Sequence, residues 1–438
     1  MNPYPWRRVF VIGTLACASA ALLVVAGCGG SSDDDDSSAQ VRVLNATVEM
    51  DAIDITLDSS ETDETVFAAA VAADAVDGYR TLAVDSYTVR LRRAGTLTTL
   101  ATTGILPSKD YSHTLVAHGL DGALGVRLLT DEEAEPSAGR AKVRIFNSGS
   151  TSGTVDVYLT DTSTAIDSVP PTLGNVAAAA VSVFTDLPQG DYRLRITARD
   201  DKSQVLLDVA GLPLADKSIT TLVLQPTAGG VLMSLLALPQ KGQPVAYKNA
   251  DARVRLAAGL TQNAGVSAQV GATSINFGLP SPTVGNYTRV AAGAQAVAVT
   301  VNNTLNLGGN TDLRAGHDYT LLVYGEADAP QYRLVSDDNR LPTTAKKARM
   351  RLAHGLAGAA SLTLAKDYAV AAGGIGLGAV SDAVLVDSGA SSRLEVTTPS
   401  LALPLYLNET AALAEGGVYT VFMLGSAATP VGILRRDR

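Results

Sequence analysis

The sequence is short of the residues that most often carry chemistry. Of its 438 residues two are cysteine (Cys17 and Cys28) and one is tryptophan (Trp6), and all three lie within the first 28 positions. Everything beyond has no thiol for a disulfide, a nucleophile or a metal site. The four histidines, His113, His118, His317 and His354, follow no HExxH pattern, and no CxxC or EF-hand spacing occurs, so neither a metal nor a cofactor is expected. A basic excess is also missing. The formal net charge is −9, whereas nucleic acid needs a lysine and arginine surface. There is no G-x-S-x-G elbow, and a serine–histidine–aspartate set is recognised only by geometry. The sequence therefore points away from an enzyme, with a secreted hydrolase as the weakest alternative.

One long apolar run is present, at the N-terminus. MNPYPWRR, with Arg7 and Arg8 and no acid, precedes VFVIGTLACASAALLVVAG, the length of a signal h-region. The run ends in Val25-Ala26-Gly27-Cys28, which resembles a bacterial lipobox. That resemblance implies cleavage after Gly27 and a diacylglycerol on the Cys28 thiol. Residues 1–27 then form a lipoprotein signal peptide, and 28–40 the lipidated cysteine with a flexible acidic tether, GGSSDDDDSS. Losing Arg7 and Arg8 takes the net charge from −9 to −11. The arginine pair is faintly similar to a twin-arginine signal, but the hydrophobic h-region favours the general secretory route. Gly29, where enteric lipoprotein sorting reads an Asp as a retention signal, implies the outer membrane. The expected setting is the bacterial cell envelope, on the periplasmic or the exposed side, with the membrane as a partner through Cys28. Asp33–Asp36 reads as a solvating spacer, not a calcium site.

The remainder repeats itself. VRVLNA at 41, VRIFNS at 143, VRLAAG at 254 and MRLAHG at 350 each open a unit. DSYTVRL, GDYRLRI, AQAVAV and SSRLEV follow, then KDYSHTLV, DKSITTLV, HDYTLLVYG and GVYTVFMLG, in the same order every roughly 100 residues. Charged or proline-containing junctions separate the units, which gives domains at 41–138, 140–249, 251–346 and 347–438. Within each unit the apolar period is two, as in Tyr87, Val89 and Leu91 against Thr88, Arg90 and Arg92. Short alternating strands between Gly, Asp, Ser and Pro turns predict an all-β chain of four tandem immunoglobulin-like β-sandwich domains. The Ala-rich stretches Phe67–Ala75 and Asn175–Ala180 are the places where a short helix could interrupt that pattern.

VRVLNATVEMDAIDITLDS, GYRTLAVDSYTVRL and KDYSHTLVA together resemble the bacterial "domain of unknown function 4397" repeats. The first two units match best, through Val155-Asp156-Val157-Tyr158-Leu159 in the second. In units three and four Ser267 and Ser361 stand where the pattern has its Asp. The resemblance implies secreted or surface-attached β-sandwich repeats and no activity. In its His/Asn column stand Asn45, Asn147 and His354, an interchange that suggests backbone hydrogen bonding at a strand end.

Two apparent motifs dissolve on inspection. Gly374–Ala379 fits G-x-G-x-x-(G/A), but the surrounding β alternation lacks the βαβ context a dinucleotide needs. The arginines of YTVRLRRAG (87–95) fall in columns that elsewhere hold Ala or Glu, which reads as solvated surface. One feature is more regular than packing requires. Arg42, Arg144, Arg255 and Arg351 share an outward position on the first strand of every unit. They could form a row that binds an anionic glycan or lipid headgroup. The plainer and favoured reading is cross-strand ion pairing with Asp54 and Asp156, worth under about 1 kcal/mol each when exposed. The function expected is that of a non-catalytic, lipid-anchored cell-envelope protein acting as a binding or scaffolding array, with envelope proteins or glycans as partners. A carbohydrate-binding surface protein is the alternative.

Overall fold

A computed structural model describes residues 37–438. The stretches expected to form a signal peptide (1–27) and a lipidated tether (28–40) lie outside the described residues as far as Asp36, Gly27 and Cys28 among them. The described residues are built of β-strands, with the three-residue 3-10 turn Ile166–Ser168 as their single helical element. The strands fall into four sets, at 38–130, 140–247, 251–337 and 347–436.

The first set defines the plan. It contains β1 (Ser38–Thr47), β2 (Ala52–Asp58), β3 (Thr65–Ala72), β4 (Arg80–Ala83), β5 (Tyr87–Arg93), β6 (Thr99–Ile105), β7 (Ser112–Leu120) and β8 (Ala123–Thr130). One sheet has the order β4-β1-β7-β8 and the other β3-β2-β5-β6. All neighbours are antiparallel except β1 and β7, which run parallel. The immunoglobulin order places the first, second, fourth and fifth strands together. Here the chain changes sheet between β1 and β2, so β2 and β5 pair across a sheet of their own. The other three sandwiches repeat this plan, the second with an added edge strand, Val245–Tyr247, and the third with an added two-residue strand, Thr283–Val284, beside its first strand.

Each sandwich closes on the apolar residues that alternate along its strands. In the first, Val41, Val43, Ile53, Ile55, Val89, Leu91 and Leu115 form the core, and Tyr87 closes its end. At about 1.5–3 kcal/mol per fully buried aliphatic or aromatic side chain, these alternating positions decide which way each strand faces. Gly119, the residue before the last of β7, has φ 97°, and a Cβ there would overlap the Ala123 carbonyl oxygen, so the tight β7–β8 hairpin needs glycine. Gly325 and Gly425 repeat the same position with φ of 100° and 84°. Neither Ala-rich stretch is helical. Phe67–Ala72 belongs to β3 and Asn175–Val176 ends the strand Leu173–Val176, since each pairs along a neighbouring strand.

The sandwiches are not separate beads. Residues 37–438 form one compact unit, and the outer faces of the β1–β7 sheets pack on each other in pairs. Leu44, Ala46, Val116 and Leu129 of the first sandwich meet Phe146, Val223, Leu236 and Leu238 of the second. Ala257 and Leu322 of the third meet Ala353, Phe422 and Leu424 of the fourth. The two pairs are tied through the second and third sandwiches, where the Thr227 hydroxyl donates to the Gly316 carbonyl at 2.8 Å. The Arg438 guanidinium, just past the last strand of the fourth sandwich, also reaches the second and donates to the carbonyls of Thr151, Ser152 and Gly230.

Candidate functional site

The four repeated arginines lie inside these paired junctions. Arg42 and Arg351 are 2% exposed and Arg255 is 1% exposed, while Arg144 is half-buried. Their position is outward with respect to each sandwich, as alternation dictates. A second sandwich covers it, so it is not wet.

The local construction is the same in every unit. The parallel pairing of first and seventh strands sets Arg42 beside Thr114, Arg144 beside Thr221, Arg255 beside Thr320 and Arg351 beside Thr420. Each arginine Nε donates to its threonine hydroxyl at 2.7–2.9 Å. In three units that hydroxyl donates on, at 2.5 Å, to a carboxylate at or just past the end of the last strand of that sheet: Asp131, Asp337 or Asp437. In the second unit the register places Gln240 there instead. Tyr79 and Tyr287 also donate to Asp131 and Asp337, at 2.7 and 2.6 Å, and their rings lie 4.8 and 4.5 Å from the Arg42 and Arg255 guanidiniums.

Across the third–fourth junction the partners are exchanged. Arg255 Nη1 pairs with Asp437 of the fourth sandwich, and Arg351 Nη1 reaches Asp337 of the third at 3.1 Å. Arg351 Nη2 also holds Asp437 at 3.1 Å, and Arg255 Nη2 lies 3.7 Å from Asp337. Two guanidiniums and two carboxylates thus make a buried, neutral cluster. Burial pushes the Asp437 carboxyl up, but Arg255 and Arg351 outweigh it and hold it below the usual range. Burial likewise depresses the Arg351 guanidinium, and the charge of Asp337 and Asp437 more than restores it. The first–second junction is less complete. Arg42 Nη1 donates to the Gly242 carbonyl at 2.7 Å and Arg144 Nη2 to the Thr130 carbonyl at 3.0 Å. Lacking a carboxylate of its own, Arg144 is depressed by burial.

Asp54 and Asp156, the partners expected from the sequence, are elsewhere. They sit on the second strand, in the opposite sheet, and hold backbone. Asp54 accepts from the amides of Ala70 at 2.7 Å and Gly95 at 2.8 Å, and Asp156 from Asn175 at 2.7 Å and Asp200 at 2.9 Å. Ala70 and Asn175 are left-handed, with φ of 51° and 58°, inside bulges of the neighbouring edge strand. The carboxylate thus clamps a bulge, a device that bends an edge away from further pairing. Ser267 does the same for Gly278 at 2.9 Å. In the fourth unit the register puts Thr363, not Ser361, at this place. The cross-strand pairing of arginine with Asp54 or Asp156 is therefore replaced by Arg–Thr–Asp relays that use Asp131, Asp337 and Asp437. The sequence carries a signal for them, since each of these aspartates follows its threonine by 17 residues.

The remaining polar candidates serve the backbone. Asn45 donates to the Val71 carbonyl at 3.0 Å, Asn147 to Val176 at 3.1 Å, and His354 Nδ1 accepts from the Leu356 amide at 3.2 Å. Arg90 and Arg92 of the YTVRLRRAG strand pair with Asp58 and Glu64. The Gly374–Ala379 run closes the strand Ala369–Gly376 and enters a turn. Among the described residues no group of three His, Cys, Asp or Glu is arranged to hold a metal ion.

A family profile for the domain of unknown function DUF4397 matches residues 39–158 and 252–365. Each match begins on the first strand of a pair and runs into the second strand of its partner sandwich. No curated protein matches the chain. Among solved structures, a candidate cell adhesion protein from Bacteroides uniformis ATCC 8492 is 10% identical with a TM-score of 0.18, over 46% of this chain and 99% of that one. The family CBM26 module CBMbc of Eubacterium rectale Amy13K, in complex with maltoheptaose, is 10% identical with a TM-score of 0.15, over 48% and 96%. The Bacillus anthracis TIE protein is 8% identical with a TM-score of 0.16, over 94% and 76%. Likeness at this level carries no argument about ligand or site. With its two matched stretches taking in more than half of its residues, the chain belongs to the DUF4397 family, as a tandem of its repeats.

Proposed function

We propose that the protein is a non-catalytic, lipid-anchored component of the cell envelope that works as a rigid binding or scaffolding array. The observation that carries this reading is the burial of the arginine column. The most regular charged feature of the chain is spent on joining sandwiches, as in the Arg255–Asp437 pair. The β1–β7 sheets are used up in the junctions, which leaves the β2–β5 sheets and the hairpin turns to meet partners. Loops on a rigid scaffold are the usual carriers of binding. The anchor rests on the Val25–Cys28 motif and the outer-membrane location on Gly29.

The test is crosslinking on intact cells followed by affinity isolation. The tag belongs in the exposed β2–β3 turn at Ser60, because Arg438 is built into a junction. Recovery of a stoichiometric envelope protein supports the scaffold, and its absence under efficient crosslinking contradicts it. Metabolic labelling with a fatty acid is expected to mark the wild type and not Cys28→Ala.

A carbohydrate-binding role is the second reading, favoured by Tyr368. Its side chain is 78% exposed, and the Arg393 guanidinium lies 4.5 Å from its ring, steadying an aromatic surface against solvent. A glycan array on which Tyr368→Ala binds as well as the wild type would end it.

A further inference from the structure

Every open sheet ends in two edges, where backbone N–H and C=O groups face outward and can pair with another chain. Nearly all the edges of this molecule are blunted. In each β2–β5 sheet the edge strand beside β2 or its counterpart slips in register: β3, Leu173–Val176, Thr273–Pro280 and Ala369–Gly376. At the far side of these sheets β6, Asp201–Leu214 and Tyr406–Leu413 slip as well. In the β1–β7 sheets one edge is made of strands of four residues or fewer, as in β4. The other holds Arg127 in β8, Pro330 and Arg333 in Ala329–Asp337, and Pro430 and Arg435 in Thr429–Arg436. In the second sandwich it is the three-residue strand Val245–Tyr247. Bulges, short length, proline and basic side chains are the devices by which sheets avoid unwanted pairing.

Among the described residues one edge has none of them. Leu305–Leu313, at the far side of the corresponding sheet in the third sandwich, runs nine residues against Gly293–Val301 without a slip. It has no proline, lysine or arginine, and its one charged residue is Asp312. Leu307 and Leu313 turn to the core, while Asn306, Gly308, Asn310 and Asp312 alternate to the outer face and are exposed. Gly308 and Gly309 are both exposed, and the surface of a glycine is main chain. Glycine within a strand is also common where another backbone approaches closely.

We propose that this edge pairs with the same strand of a second copy of the chain, antiparallel about a two-fold axis at Gly309. The register that overlaps all nine residues sets Leu305 against Leu313 of the second copy, Asn306 against Asp312, Leu307 against Thr311 and Gly308 against Asn310. Core-facing residues thus meet core-facing residues, and outer ones meet outer ones. The lone carboxylate faces an amide that can donate to it, and no like charges stand opposite each other. The edge is its own complement, which singles out a second copy over a foreign strand. Two four-stranded sheets merge into one across an isologous contact, and neither copy keeps that edge open. This self-association goes beyond the scaffold reading and does not depend on it.

The test is disulfide trapping in the detergent-solubilised full chain carrying Cys17→Ala/Cys28→Ala, so that introduced thiols are the only ones. Residues 306 and 312 of one strand are separated by about 20 Å, too far for a bond within a chain. Across the proposed axis they are opposite neighbours, with Cα atoms about 4.5–5.5 Å apart. Asn306→Cys/Asp312→Cys is therefore expected to give a covalent dimer on mild oxidation, and neither single variant is. Sedimentation of the parent chain is expected to show a reversible monomer–dimer equilibrium. Asn310→Lys, which sets two like charges diagonally across the axis, should weaken it by roughly tenfold or more. The thermal midpoint of that variant at low concentration should match the parent, since the side chain is exposed. A parent that stays monomeric at roughly 100 μM, a double variant that traps no better than the singles, or a dimer indifferent to Asn310→Lys overturns the inference. So does trapping of Asn306→Cys on cells to a different protein in place of a second copy, which assigns the edge to a foreign strand. The scaffold reading stands or falls separately, on partners recovered from cells.

Discussion

Arg255 of the third sandwich and Asp437 of the fourth form an ion pair across their junction, both side chains at most 1% exposed. Arg351 and Asp337 reciprocate it. Buried charges are tolerated when each has its partner, and removing one partner leaves the others in a medium that cannot solvate them. Asp337→Asn leaves two guanidiniums facing one carboxylate. A loss of about 3–5 kcal/mol is expected. Hydrogen exchange should localise it to the strands Asp251–Ala258 and Lys347–Ala357, and uniform protection would contradict it.

A pH dependence follows from the other junction. Burial pushes His118 down to about 4, against the Ser148 carbonyl 2.5 Å from its Nδ1 and the Phe146 ring at 4.9 Å, both from the second sandwich. The unfolded chain takes up that proton near pH 6.5, so the folded state binds fewer protons between the two values. The stability this contributes is full above about pH 6.5 and is lost as pH falls toward 4, up to roughly 3 kcal/mol. Thermal midpoints measured across this range should fall for the wild type and stay flatter for His118→Gln. Parallel curves would show that His118 is not the group.

Asp156 tests the bulge clamp. Its two backbone contacts, to Asn175 and Asp200, are charge-assisted, and Asn175 is held in a left-handed conformation. Asp156→Ala is expected to cost about 2–3 kcal/mol. The strand Leu173–Val176 should lose exchange protection first. Asp156→Asn keeps an acceptor for one amide and should retain part of the loss. If neither variant changes protection of that strand, the clamp is not what holds the bulge.

Much of the fold was legible because alternation along a strand is set by one sandwich alone. Tyr87, Val89 and Leu91 face inward as their period requires. The burial of Arg42 was not, because it depends on a second sandwich some 100 residues away. A trace was there nonetheless. Leu44, Phe146, Ala257 and Ala353 follow two places after the arginines on the same outward face, and Val116, Val223, Leu322 and Phe422 mirror them on the seventh strand. Strands apolar on both faces are buried on both faces. Asp54 misled for a related reason. Its place beside alternating apolar residues is common to pairing and to bulge clamping, and only the extra residue in the edge strand distinguishes them.

The claim that the arginine column joins sandwiches is tested most directly by a double-mutant cycle on Arg255 and Asp437. Arg255→Gln, Asp437→Asn and the double variant would be compared by the free energy of opening, measured from hydrogen exchange of the strands Asp251–Ala258 and Lys347–Ala357. A coupling of about 1–3 kcal/mol, with the double variant destabilised by less than the sum of the two single variants, is the result predicted for contacting partners. Additivity within about 0.3–0.5 kcal/mol would mean that the two side chains do not join the sandwiches.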